Sequence, residues 1–365
     1  MIESPASPAV RKIAMVTSLL GTSRQSLARL MQEQGEPAFR GRQIFRWIHQ
    51  QRTADFSSMT NLPESLRLRL AEHFSVARPQ VTEQRQAEDG TCKWVLALED
   101  GQAIEAVYIP DQRRITLCLS SQVGCAFGCT FCATATMGKI RNLTTAEILG
   151  QALTLVDGHQ IASSQPFNIV FMGMGEPMDN FDAVMEAFDI LTDPEGANLS
   201  WRRITLSTVG HVDGIRRLAE RRRRPRLAVS LNATTDGQRE RIMPVNRKWP
   251  LEQLCAALAD FPVRPAERIT CEYVLMAGET DTPADGRNLV RLLHGLPVKL
   301  NLIPWNPSPG LPHERPSDEA VAGFRDALLA RGLEASIRFS RGRDAAAACG
   351  QLVTSRDSSP RRQQA

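Results

Sequence analysis

Cys125, Cys129 and Cys132 stand at spacings of four and three residues in the stretch Cys-Ala-Phe-Gly-Cys-Thr-Phe-Cys. Thiolates so spaced can close on one metal centre from a single tight loop, and Gly124 and Gly128 let that loop bend. A structural zinc ion takes four ligands, and no fourth Cys or His lies close in sequence. Three thiolates suit a 4Fe–4S cluster with one iron left open, since such clusters are normally held by four. An open iron beside a substrate is a reactive arrangement. Three small buried residues in a loop is the plainer account. Ligand spacing among three of the chain's 8 cysteines weighs against it.

Composition limits what surrounds this loop. Of 365 residues, 42% are hydrophobic and 23% charged, enough core for one large soluble domain with a small appendage. No apolar run approaches the roughly 20 residues that span a bilayer, and the N-terminus carries no charged-then-apolar export signal. The expected location is the cytoplasm, where cysteines serve metal or redox chemistry because lasting disulfides are rare. A net charge of +4 supports a nucleic-acid partner only weakly. Its distribution says more: Arg216, Arg217, Arg221, Arg222, Arg223, Arg224 and Arg226 crowd together, and Arg40, Arg42, Arg46 and Arg52 form a second group. Such groups can neutralise phosphates; taken alone they read equally as solvated helix faces.

Residues 1–18 read as a disordered tail. Leu27, Leu30 and Met31, then Ile44, Trp47 and Ile48, then Leu66, Leu70 and Phe74 recur at helical spacing. With Pro63 as a first-turn residue, they predict a helical accessory domain over 19–78, whose Arg40, Arg42 and Arg46 are as compatible with gripping RNA as with a charged outer face. Over 79–114, alternating runs on either side of Glu99-Asp100-Gly101 predict a β-hairpin linker. Glu105 shares one face of its run with Val107 and reads, unaided, as a surface carboxylate. From Ile115 strand and helix alternate, with strands at 115–119, 168–172, 203–208, 227–231, 269–275, 298–303 and 335–339. That alternation requires a parallel sheet covered by helices. Six or so units over 115–352 match an incomplete barrel better than an eightfold one, with active residues at the C-terminal strand ends. Residues 353–365 read as a second disordered tail.

The C-x3-C-x2-C spacing, with Phe131 before the last cysteine, resembles the radical S-adenosylmethionine (SAM) enzymes. The flanks Ser120-Ser121-Gln122-Val123-Gly124-Cys125, Cys132-Ala133-Thr134 and Arg141-Asn142-Leu143 resemble the RlmN/Cfr family of radical-SAM RNA adenine methyltransferases. The resemblance runs from about Phe39 to Val353. It implies an α/β fold, an incomplete TIM-like barrel with the N-terminal helical domain and β-hairpin extension, and a 4Fe–4S cluster on Cys125, Cys129 and Cys132. Gly175 and Glu176, in Gly173-Met174-Gly175-Glu176-Pro177, would hold the amino group of SAM. Ser207, Ser230, Leu231, Asn232 and Asn306, at later strand ends, would hold its ribose, methionine carboxylate and adenine. Singly, each polar residue here reads as a satisfied turn residue. Asn232 stands where the family commonly has histidine; an amide still donates and accepts hydrogen bonds. Cys118 and Cys349 match the family's paired cysteines, whereas Cys92, Cys255 and Cys271 read as buried apolar residues. Ile104-Glu105-Ala106-Val107-Tyr108-Ile109-Pro110 matches the setting of the family's proton acceptor, which makes Glu105 a candidate base.

The implied chemistry explains the cysteine pair. C2 of adenine lies between two ring nitrogens and cannot attack an electrophilic methyl group. In the mechanism so implied, Cys349 first takes a methyl group from one SAM. A second SAM, cleaved at the reduced cluster, gives a 5′-deoxyadenosyl radical that removes hydrogen from that methyl. The carbon radical adds to adenine, Glu105 accepts the ring proton, and Cys118 attacks the Cys349 sulfur to release product as a transient disulfide. Two SAM per turnover and an external one-electron reductant such as a flavodoxin are implied, for a monomer with no membrane partner. The expected substrate is C2 of an adenine in large-subunit ribosomal RNA, with transfer RNA as a second substrate. A Cfr-type C8 methyltransferase would share every residue named. An iron–sulfur RNA-binding or redox protein would need neither the SAM residues nor the cysteine pair, and a radical-SAM enzyme of a protein or small molecule would need no RNA.

Overall fold

The computed structural model describes residues 17–354 except 113 and 163. The expected tails at 1–16 and 355–365 lie outside the described residues. At both inner ends the chain is ordered where a tail was expected. Thr17–Ser18 form β1, parallel to β2 (Phe74–Ser75), and the backbone amide of Val353 donates to Glu105.

Between β1 and β2 lie α1 (Arg24–Glu33), α2 (Phe39–His49) and α3 (Glu64–His73). The Ser23 side chain caps α1 by accepting the Ser26 N–H. Leu27, Met31, Ile44, Phe45 and Ile48 are fully buried between helices. Several arginines in and just after this unit face the rest of the chain, while Arg69 pairs with Glu36 inside it. Arg42 pairs with Glu195 at 2.6 Å, Arg46 holds the same carboxylate, Arg24 meets Asp193 at 3.2 Å, and Arg52 and Arg78 share Asp157.

The next strands, β3 (Gln80–Gln86), β4 (Cys92–Ala97), β5 (Ala103–Asp111) and β6 (Arg114–Cys118), pair antiparallel in succession. The stretch expected as a hairpin linker is therefore three strands of the main sheet. After β6 comes the cysteine loop, framed by the small pair β7 (Gln122–Gly124) and β8 (Lys139–Asn142) around α4 (Ala133–Thr136). Helix and strand then alternate: α5 (Thr145–Gly158), β9 (Phe167–Phe171), α6 (Phe181–Leu191), β10 (Ile204–Thr208), α7 (Val212–Ala219) and β11 (Arg226–Ser230). They continue as α8 (Asp236–Ile242), α9 (Leu251–Ala259), β12 (Ile269–Leu275), α10 (Pro283–Leu293), β13 (Val298–Pro304), α11 (Asp318–Leu329) and β14 (Ala335–Ile337).

One 10-stranded sheet runs β14-β13-β12-β11-β10-β9-β6-β5-β4-β3. From β6 to β14 neighbouring strands are parallel, and among the described residues β14 does not pair back to β6. The fold is α/β, an incomplete barrel with an antiparallel extension. β11 buries Leu227, Ala228 and Val229 in succession, as a parallel strand covered on both faces does. No helix among the described residues is long and apolar enough to cross a membrane.

Ser120 marks where the chain leaves β6 for the cysteine loop. Gln151 of α5, fully buried, closes both its backbone groups: Oε1 accepts the Ser120 N–H at 2.8 Å and Nε2 donates to its carbonyl at 3.0 Å. The Ser120 hydroxyl donates to the Glu105 carbonyl at 2.6 Å and accepts the Met174 N–H at 2.8 Å. Gln151→Leu strands two buried backbone groups, so denaturant unfolding should show a loss of roughly 2–4 kcal/mol. An unchanged midpoint would mean that Ser120 finds other partners.

Candidate active site

Contacts from distant elements shape the cysteine loop. The Cys125 N–H donates to the Gly138 carbonyl at 3.0 Å, and Thr130 N–H to Ile242 at 3.0 Å. Trp305 Nε1 donates to the Phe131 carbonyl at 3.1 Å. At Gly124, with φ +74°, a Cβ would overlap the Gly138 carbonyl, so only glycine lets the two backbones pass. Cys125, Cys129 and Cys132 line one cavity. Among the described residues no three His, Cys, Asp or Glu side chains gather for a single ion; a cluster does not require that, because each thiolate holds a different iron.

Electrostatics supply the test of fit. Burial pushes the Cys125 thiol up to about 12, Cys129 well above its ordinary value, and Cys132 up as well. Such thiols ionise only against a cation. Beside Cys129 the fully buried Arg239 donates to Leu231 O (3.1 Å), Val209 O (2.6 Å) and Asn246 Oδ1 (3.2 Å), all neutral oxygens. Burial lowers its pKa to about 10, and Cys129 opposes that fall. A buried guanidinium bonded to neutral oxygens, beside the buried Cys129 and near the half-buried Cys125 and Cys132, fits an anionic metal cluster.

The same cavity is lined by Gly175, Glu176, Ser207, Ser230, Asn232, Asn306 and Cys349. Gly175 has φ +93°, and a Cβ there would strike Gln122. Gln122 in turn accepts the Glu176 N–H at 2.8 Å. The Glu176 carboxylate accepts the N–H groups of Met178 (2.9 Å) and Val209 (2.8 Å). Burial still pushes its pKa up to about 7, and a carboxylate has lone pairs beyond those two bonds. Asn306 Nδ2 donates to Ser340 Oγ (2.9 Å) and the Cys349 carbonyl (3.1 Å), while its buried Oδ1 has no protein partner. A carboxylate short of a cation and an unpartnered acceptor fit a ligand with an ammonium and further donors, as SAM has.

Two expectations change here. Asn232, at φ +55°, uses its side-chain carbonyl to accept the Val274 N–H at 2.9 Å, and its Nδ2 lies 3.5 Å from Met243 Sδ. Its carbonyl is thus already engaged once, and its amide donor is the more weakly held group open to a ligand. Leu231 is fully buried outside the cavity wall; its carbonyl accepts Arg239 Nε, so it shapes the strand end through its backbone.

Cys118 and Cys349 meet in a second cavity with Met172 and Arg338, and Cys349 belongs to both walls. Both are free thiols. Burial pushes Cys118 up to about 12 and raises Cys349, with Arg338 pulling both down. Arg338 Nη1 donates to Glu272 Oε1 at 3.3 Å. Neither Arg338 nor Glu272 was singled out from sequence, although a carboxylate inside the apolar run Ile269–Leu275 was a readable signal.

Glu105 lines a third cavity instead. It is 3% exposed rather than on the surface, with Lys93 Nζ 2.9 Å from Oε1 and the Val353 N–H 3.0 Å from Oε2. Burial raises its pKa against the pull of Lys93 and the Val353 amide. Val353 is held there because its neighbours are: Ala133 N–H donates to Gly350 O at 2.7 Å, and Thr134 Oγ1 to Leu352 O at 2.6 Å. Cys92, Cys255 and Cys271 line none of these cavities.

Much of the arginine run is engaged internally. Arg217 pairs with Asp182 (2.7 Å) and Arg221 with Asp189 (2.6 Å); Arg223 donates to Thr192 O, and Arg224 packs over Phe261.

Folding raises the Glu176 pKa from 4.5 to about 7. The folded chain then holds more protons than the unfolded one between those values, and stability falls as pH rises through that window. The shift corresponds to about 3 kcal/mol. Glu176→Gln should remove this slope from the pH profile of unfolding of ligand-free protein; an unchanged slope would assign it to other groups.

Comparison with known proteins agrees with this geometry. Residues 17–76 match the ribosomal RNA large subunit methyltransferase N-terminal domain, and residues 119–289 the radical SAM superfamily. The chain is 48% identical to the dual-specificity RNA methyltransferase RlmN of Anaeromyxobacter dehalogenans, over 90% of each protein. It is 49% identical to that of Halorhodospira halophila, over 92% of this chain and 93% of the relative. The crystal structure of a radical SAM methyltransferase from Sphaerobacter thermophilus superposes with a TM-score of 0.88 at 42% identity, covering 92% of this chain and 99% of that one. With its helical N-terminal unit, open barrel and three-cysteine loop, the chain belongs to the RlmN family of radical SAM enzymes.

Proposed function

We propose that this protein is a radical-SAM RNA methyltransferase that methylates C2 of an adenine, in large-subunit ribosomal RNA and in transfer RNA, through an S-methylated Cys349. One observation carries the proposal: Cys349 stands in the wall common to the cavity of the cysteine loop and the cavity of Cys118. A single sulfur can therefore face both a methyl donor and a resolving thiol. The relatives' name, dual-specificity RNA methyltransferase, supports two RNA classes as substrates, and kinship with RlmN favours C2 over C8.

Cys125, Cys129 and Cys132 would hold the cluster. Gly175 and Glu176 would hold the amino group of SAM, with Ser207, Ser230, Asn232, Asn306 and the backbone of Leu231 around the remainder. Bound there, cluster and SAM supply a methyl group and a 5′-deoxyadenosyl radical, two SAM per turnover. The Cys349 thiolate accepts the methyl group, and its sulfur then presents that carbon to the adenine. Glu105 accepts the ring proton once the Val353 amide has left its carboxylate, and Lys93 keeps that carboxylate ionised until then. The Cys118 thiolate attacks the Cys349 sulfur; the S–S bond forms as the S–C bond breaks, and its electron pair goes to the methylene carbon attached to the base, which takes up a proton from solvent to become the product methyl group. In this reading the protein is a cytoplasmic monomer, fed by a one-electron reductant such as a flavodoxin, and its N-terminal helical unit is an accessory for RNA.

Mass spectrometry of the tryptic peptide 344–356 should find one added methyl on Cys349 after incubation with SAM and reductant. Cys118→Ala should accumulate a covalent protein–RNA adduct, and Cys349→Ala should show neither methyl nor adduct. An unmodified Cys349 in protein that still cleaves SAM would overturn the proposal.

A further inference from the structure

Phe339 is an exposed aromatic residue on a stretch of chain that is held on both sides. The strand expected to reach residue 339 ends at Ile337, and Phe339 is 52% exposed. Its neighbours are all tied down. The Arg338 N–H donates to Leu302 O at 2.8 Å, and Ser340 Oγ accepts from Asn306 Nδ2 at 2.9 Å. The Arg341 guanidinium donates to Pro110 O and pairs with Asp111 at 3.1 Å. The Gly342 N–H donates to Asp89 Oδ2 at 3.0 Å. The backbone therefore presents this side chain to solvent already in place, with little left to order on binding.

Its position points to a ligand. Among the described residues two phenylalanines stand largely in solvent, Phe39 and Phe339. Arg40 covers the Phe39 ring on the helical unit, whereas Phe339 lines the cavity of Cys118 and Cys349. Asn306 ties it to the reacting sulfur, because the amide that bonds Ser340 also donates to the Cys349 carbonyl at 3.1 Å. The wall around it is positive. Arg114, Arg338 and Arg341 line this cavity against one carboxylate, Asp111. Arg341 takes Asp111, and Arg338 pairs with Glu272, which lies outside that wall. Arg114 is exposed and has no protein partner among the described residues.

An adenine can reach Cys349 only as a single base drawn out of its stack, and the base beside it then loses a neighbour. We propose that Phe339 is the stacking platform for that adjacent base, and that Arg114 binds a phosphate of the same strand. The proposal rests on the RNA reading above and narrows it to unpaired RNA, a loop or a single strand. A base already stacked on both faces in a helix has none to offer the ring. Every base has a π-face, so the platform supplies affinity and sets the path of the strand rather than reading its sequence. The phosphate contact is likewise independent of sequence. Selection of the target base is left to the cavity beyond them.

The test is fluorescence anisotropy of labelled oligoadenylate, as a single strand and annealed to oligouridylate. The protein is holoenzyme with its cluster rebuilt anaerobically. Phe339→Ala should weaken single-strand binding about tenfold, and Phe339→Trp should bind at least as tightly as the parent. Phe339→Leu keeps apolar surface without a π-face and should behave as Phe339→Ala. Duplex affinity should not change in any of the three. Arg114→Gln should reduce the slope of log affinity against log salt on the single strand by about 0.7, and Arg114→Lys should restore it. Both side chains are exposed, so each variant should melt as the parent does.

Single-strand affinity that is unchanged in Phe339→Ala, kept in Phe339→Leu, or lost equally on the duplex would overturn the platform. An unchanged salt slope in Arg114→Gln would overturn the phosphate contact. A parent protein that binds neither RNA would overturn the RNA reading itself. That failure is distinct from a parent that binds and variants that bind equally well.

Discussion

Residues 349–354 return to the strand ends where the cysteine loop begins, and the arrangement of the site depends on that return being held. Asn306 binds the Cys349 carbonyl, Ala133 the Gly350 carbonyl, Thr134 the Leu352 carbonyl, and Glu105 the Val353 amide. The partners lie from 43 to 248 residues away in sequence. Loop-closure entropy grows only slowly with such separations, and the sheet already fixes the partner side of each contact. Ala345, Ala347, Ala348 and Leu352 are buried beneath the segment. Their mostly small side chains let the backbone approach closely enough for Cys349 to reach both cavities.

Around this return, charge is buried in two ways. Lys93 and Glu105 are paired inside the protein, and the buried Glu272 is paired with the half-buried Arg338. Glu176 and Arg239 are bonded to neutral groups, and burial drives each toward its uncharged form. A buried charge without a partner is costly unless something completes it. The two incomplete groups have opposite signs and belong to one neighbourhood: Glu176 in the cavity wall and Arg239 beside Cys129. That is the arrangement expected where a cationic ligand and an anionic cluster bind side by side.

The arginines show how composition can mislead about location. Both groups could have been a phosphate grip. Arg42, Arg46 and Arg24 instead clamp the helical unit to Glu195 and Asp193 just beyond α6, and Arg217 and Arg221 pair with acids on α6 itself. Surface pairs of this kind contribute little stability individually. Several across one boundary fix the orientation of the two units.

The sequence by itself determined the cysteine loop, the strand–helix alternation and the strand-end positions. These are local: ligand spacing, periodicity and turn residues are written in consecutive residues, and all seven expected parallel strands are present. Four-residue α4 and seven-residue α8 are too short for a period to show in the sequence. What only the tertiary structure decided is non-local. Whether Glu105 lies on the surface or against Lys93, whether Asn232 keeps a free carbonyl, and whether Val353 belongs to a tail or to the site all depend on residues far away along the chain. Arg338 and Glu272 meet, near Cys118, only because the sheet brings β12 and the end of β14 into one cavity with the end of β6. Spacing specifies which atoms can share a metal; only packing specifies which charges share a cavity, because burial is a property of the whole fold.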